Sequence, residues 1–192
     1  ILCLMEPFIK IWIGKEYLLT YGTLIVLAIN FYVQGMRKTS NTFKEAAGIF
    51  HEDRFVPIIE SVINIVSSII FLKLYGLAGV FIGTITSSMI LFLYSYPVFV
   101  YKKLFNRTYI QFLKIHCKYL VISVLCGIIT VFIVNNIKIN NNFLQLILNG
   151  IIVIIVPNLI QYLIFHKTEE FKYVKEMLAK VDIKNKFRRS PN

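Results

Sequence analysis

The sequence predicts an all-α protein, a polytopic bundle of about five membrane-spanning helices. Three observations lead there. First, 57% of the 192 residues are hydrophobic and 16% are charged, against about 25% charged in soluble domains. Second, the apolar residues fall in runs of roughly 18 or more with almost no charge, the length a helix needs to cross a bilayer. Third, the runs are apolar all round. A spanning β-strand would be about ten residues long and would alternate.

The elements follow in chain order. Residues 1–16 read as the end of a preceding segment and an external turn, with Trp12 and Tyr17 suited to an aromatic belt. The chain starts at Ile1 inside an apolar run with no signal peptide. It is therefore expected to be part of a longer protein. Residues 17–165 form the membrane domain. Its first span, 17–36, carries Thr20, Thr23, Asn30 and Gln34 on one face. Such groups serve either as helix–helix glue or as the lining of a polar pathway. A polar loop is expected over 37–54, with a short amphipathic helix at 44–50. The second span, 55–74, opens with Pro57 in its first turn, where a missing N–H is tolerated.

Glu60 is the only carboxylate inside a predicted span. On a wheel of about 100° per residue, Asn64, Ser67 and Ser68 lie roughly 40°, −20° and 80° from it, forming one polar stripe. A carboxylate at mid-membrane costs about 2.5–3.5 kcal/mol on insertion scales, so it rarely faces lipid. The third span, 76–100, follows after a tight turn and makes an antiparallel hairpin with the second. Gly76, Gly79, Gly83 and Ser87 line one face, as packing surfaces in membranes do. Pro97 is expected to kink or stop this helix. A basic loop spans 101–118. The fourth span, 119–137, has a small-residue face of Ser123, Cys126, Gly127 and Thr130. The fifth, 143–165, contains Pro157, whose freed carbonyl needs a neighbour. The tail, 166–192, is basic. Phe171, Val174, Leu178 and Val181 mark it as amphipathic, suited to an anionic lipid surface or to a solvated role.

Seventeen of the 21 Lys and Arg lie in 37–54, 101–118 and 166–192, and four, Lys10, Lys15, Lys73 and Lys138, lie on the other side. Basic residues mark the cytoplasmic face. The distribution predicts a cytoplasmic C-terminus, and an odd number of spans agrees. It also accounts for the net charge of +11 without nucleic acid as a partner.

Catalytic and metal-binding patterns are sparse. The three cysteines have no CxxC spacing. His51, His116 and His166 are widely separated, and there is no phosphate loop, H-E-x-x-H or G-x-S-x-G. Glu52 and Asp53 form the one acidic doublet near a span, with Arg54 beside it. The expectation is no enzyme activity, no cofactor and no metal. A membrane polymerase or ligase would carry a large external loop, whereas the external turns here are short.

An ordered set of motifs adds to this reading. It comprises E-A-A-G-x-F-x-x-D-R from Glu45 to Arg54, Glu60, Asn64 and Ser68 at four-residue spacing, and G-L-A-G-V-F-I-G-T from Gly76 to Thr84. Upstream stand P-x-I-x-x-W-x-G from Pro7 to Gly14 and N-F-Y-x-x-G-M-R from Asn30 to Arg37. Downstream stands Y-P-V-F-V-Y-K-K-L-F from Tyr96 to Phe105. Over about 5–110 the chain resembles the bacterial polysaccharide flippases of the multidrug/oligosaccharidyl-lipid/polysaccharide exporter superfamily. The resemblance implies two helical lobes around a central cavity, working by alternating access, with this chain as most of the second lobe. It implies a bacterial inner-membrane location and an undecaprenyl-pyrophosphate-linked oligosaccharide as cargo, with membrane lipid and polysaccharide polymerase machinery as partners. Candidate pathway residues are then Glu60, Asn64, Ser67, Ser68, Asn30 and Gln34, with Arg37 and Arg54 at the cytoplasmic mouth. Glu60 stands either as a coupling-ion site or as a hydrogen-bonding partner of a neighbouring helix. A drug exporter of the same superfamily and an inactive remnant are the other readings of the same motifs.

Overall fold

A computed structural model describes residues 1–51, 54–137 and 139–188, with side chains described up to residue 178. Glu52, Asp53, Lys138 and the end of the basic tail therefore lie outside the described residues. All regular structure among those residues is helical: α1 (Met5–Trp12), α2 (Tyr21–Ala46), α3 (Val56–Tyr75), α4 (Leu77–Ser95), α5 (Lys103–Phe105), α6 (Tyr109–Asn136), α7 (Asn142–Phe165) and α8 (Glu169–Arg188), with a 3-10 turn at Lys15–Tyr17.

Among the described residues, four helical stretches are long and apolar enough to cross a membrane: Val56–Tyr75, Leu77–Phe105, Tyr109–Asn136 and Asn142–Phe165. The chain is thus an all-α, multi-pass helical bundle. Their outward faces carry what lipid would cover. Ile58, Val62, Ile65, Val66 and Ile69 on α3, and Ile151, Ile154 and Ile155 on α7, are all exposed.

The expected first span differs. α2 has 26 residues, about 39 Å at 1.5 Å per residue, which is long enough. Yet it is not among the apolar spans, because Asn30, Gln34, Arg37 and Lys38 interrupt it. It also runs ten residues past the expected end, so most of the polar loop at 37–54 is helix. No Gly or Pro falls between Arg37 and Ala46 to stop it, and its polar face finds partners on α4. It ends at Ala47, with Gly48 at φ +68° reversing the chain.

The third span is also longer than expected. Pro97 neither stops nor breaks it. Residues Tyr96–Lys102 form a π-helical turn that leads directly into α5. Proline has no N–H and clashes with the carbonyl four residues back; a wider turn accommodates both. Asn106, left-handed at φ 48°, then reverses the chain. Thr108 and Gln111 close a reciprocal capping box at the start of α6. The basic loop expected over 101–118 is thereby reduced to three residues. α7 matches its expected span and continues through Pro157. In α8, Phe171 is partly buried against Tyr162, with ring centroids 5.7 Å apart. Val174 and Leu178 are exposed, and the side chain of Val181 lies outside the described residues.

Candidate functional site: a polar seam between three helices

The hairpin of α3 and α4 is built at backbone level. Gly76 turns the chain with φ +60° and ψ −140°, a conformation that side chains with a Cβ avoid. The helices then run antiparallel in close contact. A methyl group at Gly79 would overlap the Phe71 carbonyl, and one at Gly83 would lie 2.5 Å from the Ser68 nitrogen. The G-x-x-x-G is therefore a packing face. The α3 polar stripe lies along this seam. Ser67 Oγ donates to the Ile63 carbonyl and reaches the Gly83 carbonyl at 3.2 Å. Ser68 Oγ approaches the Val80 carbonyl at 3.5 Å. Asn64 Nδ2 donates to Ser87 Oγ at 3.1 Å.

α2 lies parallel to α4 and adds a second stripe at helical spacing: Asn30, Gln34, Arg37 and Asn41. Gln34 Nε2 donates to Ser88 Oγ at 3.0 Å. Tyr96 Oη donates to Asn41 Oδ1 at 3.1 Å. Between them Arg37 reaches both neighbours. Its Nη1 donates to Glu60 Oε1 at 2.5 Å and to Ser88 Oγ at 2.8 Å, and its Nη2 donates to Glu60 Oε2 at 2.8 Å. This is a two-pronged guanidinium–carboxylate pair, the strong geometry for such partners. The two side chains are only 17% and 23% exposed. Among the buried polar atoms without a geometric hydrogen-bond partner in the described residues are Arg37 Nε and Asn30 Oδ1.

Each expected site residue now has a place. Glu60, Asn64, Ser67, Ser68 and Gln34 meet at the three-helix seam. Asn30 lies along the same face of α2, farther from the pair. Glu60 is the fifth of twenty residues in α3, only about 6 Å of helical rise from its start. It lies near one end of the span, not at its middle, which lowers its cost. Arg54 is elsewhere. It is exposed, with Nη1 3.5 Å from His51 Nε2 and its guanidinium 4.7 Å from the centre of the Phe55 ring. Sequence reasoning placed Ser87 on the packing face but missed it as the partner of Asn64, and it missed Arg37 as the partner of Glu60 and Ser88 and Asn41 as members of the seam. A signal existed: Arg37 and Asn41 continue the α2 stripe by three and four residues. Ending the helix at 36 removed them from it.

The small-residue face of α6 is divided. Cys126 and Thr130 are buried, whereas Gly127 is exposed with nothing within 4 Å of an added Cβ. Thr20 caps α2 by accepting from the Thr23 nitrogen. Among the described residues, no three His, Cys, Asp or Glu side chains converge as metal ligands would. Comparisons with protein families, curated proteins and solved structures return no match.

Proposed function

We propose that the protein is a flippase that moves lipid-linked oligosaccharide repeat units from the inner to the outer leaflet of a bacterial cell membrane. The cargo is of the undecaprenyl pyrophosphate type, supplied for capsule or O-antigen assembly. The ordered motifs of 5–110 support this reading. One observation carries the mechanism: the Arg37 guanidinium held by both oxygens of Glu60 beside otherwise apolar spans.

A carrier of a pyrophosphate lipid needs a cation sheltered from bulk water, and that cation needs a counter-charge when no cargo is bound. Glu60 supplies it. Phosphate oxygens match the same guanidinium fork that a carboxylate fills, so cargo replaces Glu60 at Arg37. Released Glu60 then carries the coupling step. Asn64, Ser67, Ser68, Gln34 and Asn30 provide polar groups to sugars as the seam opens, and Arg54 is the first contact at the cytoplasmic mouth. α2 crosses the bilayer as a fifth span with its polar face covered by α3 and α4, which leaves the C-terminus in the cytoplasm. Polymerase machinery receives the unit on the opposite face.

The test is surface polymer in cells carrying Arg37→Gln or Glu60→Gln, with protein in the membrane quantified in parallel. Loss of polymer at normal protein level is expected for Arg37→Gln. Normal polymer with that variant overturns the mechanism, and normal export with Glu60→Gln removes the coupling role. A protease added to intact cells should spare a tag after Asn192; its removal reverses the orientation.

A further inference from the structure

At the end of the bundle where the basic residues gather, α2, the end of the third span and α6 do not close on one another. They leave an open cavity of about 500 Å³. Phe43, Tyr101, Phe105 and Tyr119 provide aromatic walls, Thr39 lies on the α2 side, and Arg107 stands at the rim. The rim is firmly built. The Arg107 nitrogen donates to the Tyr101 carbonyl at 3.0 Å, Asn106 is left-handed, and the capping box follows at Thr108. Phe43 and Phe105 meet edge to face at 5.7 Å. No salt bridge involves Arg107 among the described residues. The site therefore joins a cation carried on a fixed backbone turn to a set of aromatic walls, at the level where a spanning helix ends and headgroups begin.

We infer that this cavity seats one anionic phospholipid of the adjoining leaflet, its phosphate against Arg107 and its first acyl methylenes against Phe43, Phe105 and Tyr119. The complementarity is of two kinds. Guanidinium and phosphate form charge-assisted hydrogen bonds, and aromatic side chains at the membrane interface present an apolar body to the acyl region. Lys102, Lys103 and Lys114, close by in sequence, raise the local concentration of anionic lipid. The occupancy does not depend on transport. It requires only that the bundle lies in a bilayer.

The experiment uses the whole chain purified in detergent, with phosphatidylglycerol or phosphatidylcholine added and bound lipid counted by native mass spectrometry. Wild type should retain phosphatidylglycerol and release phosphatidylcholine. Arg107→Gln should lower retained phosphatidylglycerol by about tenfold, the loss expected for one charge-assisted contact. Lys172→Gln, which removes an equal charge from the tail, should change it by less than about twofold. Thr39→Phe fills the cavity and keeps Arg107. It should lower retention too, which preserves the test if Arg107→Gln folds poorly. Equal losses in Arg107→Gln and Lys172→Gln overturn the inference, because they indicate diffuse attraction. Equal retention of phosphatidylcholine, unchanged retention in Thr39→Phe, or displacement by excess inorganic phosphate overturns it as well.

Discussion

The α2–α3–α4 half and the α6–α7 half of this molecule hold together in different ways. In the first, backbones touch at Gly79 and Gly83, and eight hydrogen-bonding side chains, from Gln34 to Ser88, join the three helices. In the second, the contacts lie at the ends. Gln145 closes the turn by donating to the Ile137 carbonyl and accepting from the Ile139 nitrogen, and it donates to Asn149, which donates to the Cys3 carbonyl. Tyr119 stacks on Phe165 at 5.8 Å. Between these ends both helices present wide exposed apolar faces. Lipid supplies no hydrophobic drive for apolar helices to associate, so close fit and interhelical hydrogen bonds do that work. The first half has both along its length. In the second, these α6–α7 contacts lie at the tips, Cys126 and Thr130 add a short buried patch on α6, and the exposed apolar faces are left for lipid or further protein.

The largest test of that contrast is steric. Gly79→Val should cost about 3 kcal/mol, the upper end for overpacking, because its neighbour is rigid backbone. It would be read as loss of a monodisperse, thermally cooperative species. A variant that melts like wild type would mean that α3 and α4 do not touch as described.

Next comes the ion pair. Arg37→Ala should destabilise by about 2 kcal/mol. That is below the 3–5 kcal/mol for breaking a fully buried pair, since both groups retain some exposure. Arg37→Met combined with Glu60→Leu should recover most of it. Denaturation of Arg37→Met, of Glu60→Leu and of the double variant closes a double-mutant cycle, and additive losses would show that the two side chains do not interact.

Asn64→Ala removes one interhelical hydrogen bond and should cost about 0.6–1 kcal/mol in the same assay. A loss several times larger would make Asn64 a hub of the seam instead of one stitch in it.

The smallest effect belongs to the other half. Gly127→Ala meets open space and should stabilise α6 by up to about 1 kcal/mol through helix propensity alone. If thermal unfolding shows a clear loss instead, another protein surface covers that face, and the apolar half has a partner other than lipid.

Much of this architecture was legible before any tertiary structure. Apolar run length gives the helices, since every backbone group in a bilayer must bond within its own segment. Glycine spacing marks the close face of α4, and α7 stands within a residue of its expected start. Failures occurred where tertiary contacts override local polarity. Arg37 and Asn41 look like loop on their own, but a helix that sets Arg37 on Glu60 and Asn41 on Tyr96 satisfies them better than water in a turn. Pro97 looks like a stop because the wider turn that absorbs it has no local sequence mark.

By itself, the sequence determined that the chain is helical, where most of its apolar spans lie, which end is basic, and that Glu60 shares a stripe with Asn64, Ser67 and Ser68. Those properties depend on composition and on a fixed period of about 3.6 residues per turn. Only the tertiary structure decided that the stripe faces α4, that Glu60 meets Arg37 from a helix 23 residues away, and that Ser88 joins them. Helical period places residues on a face, but the register between two helices follows from how closely their backbones pack. Here Gly79 and Gly83 fix that register.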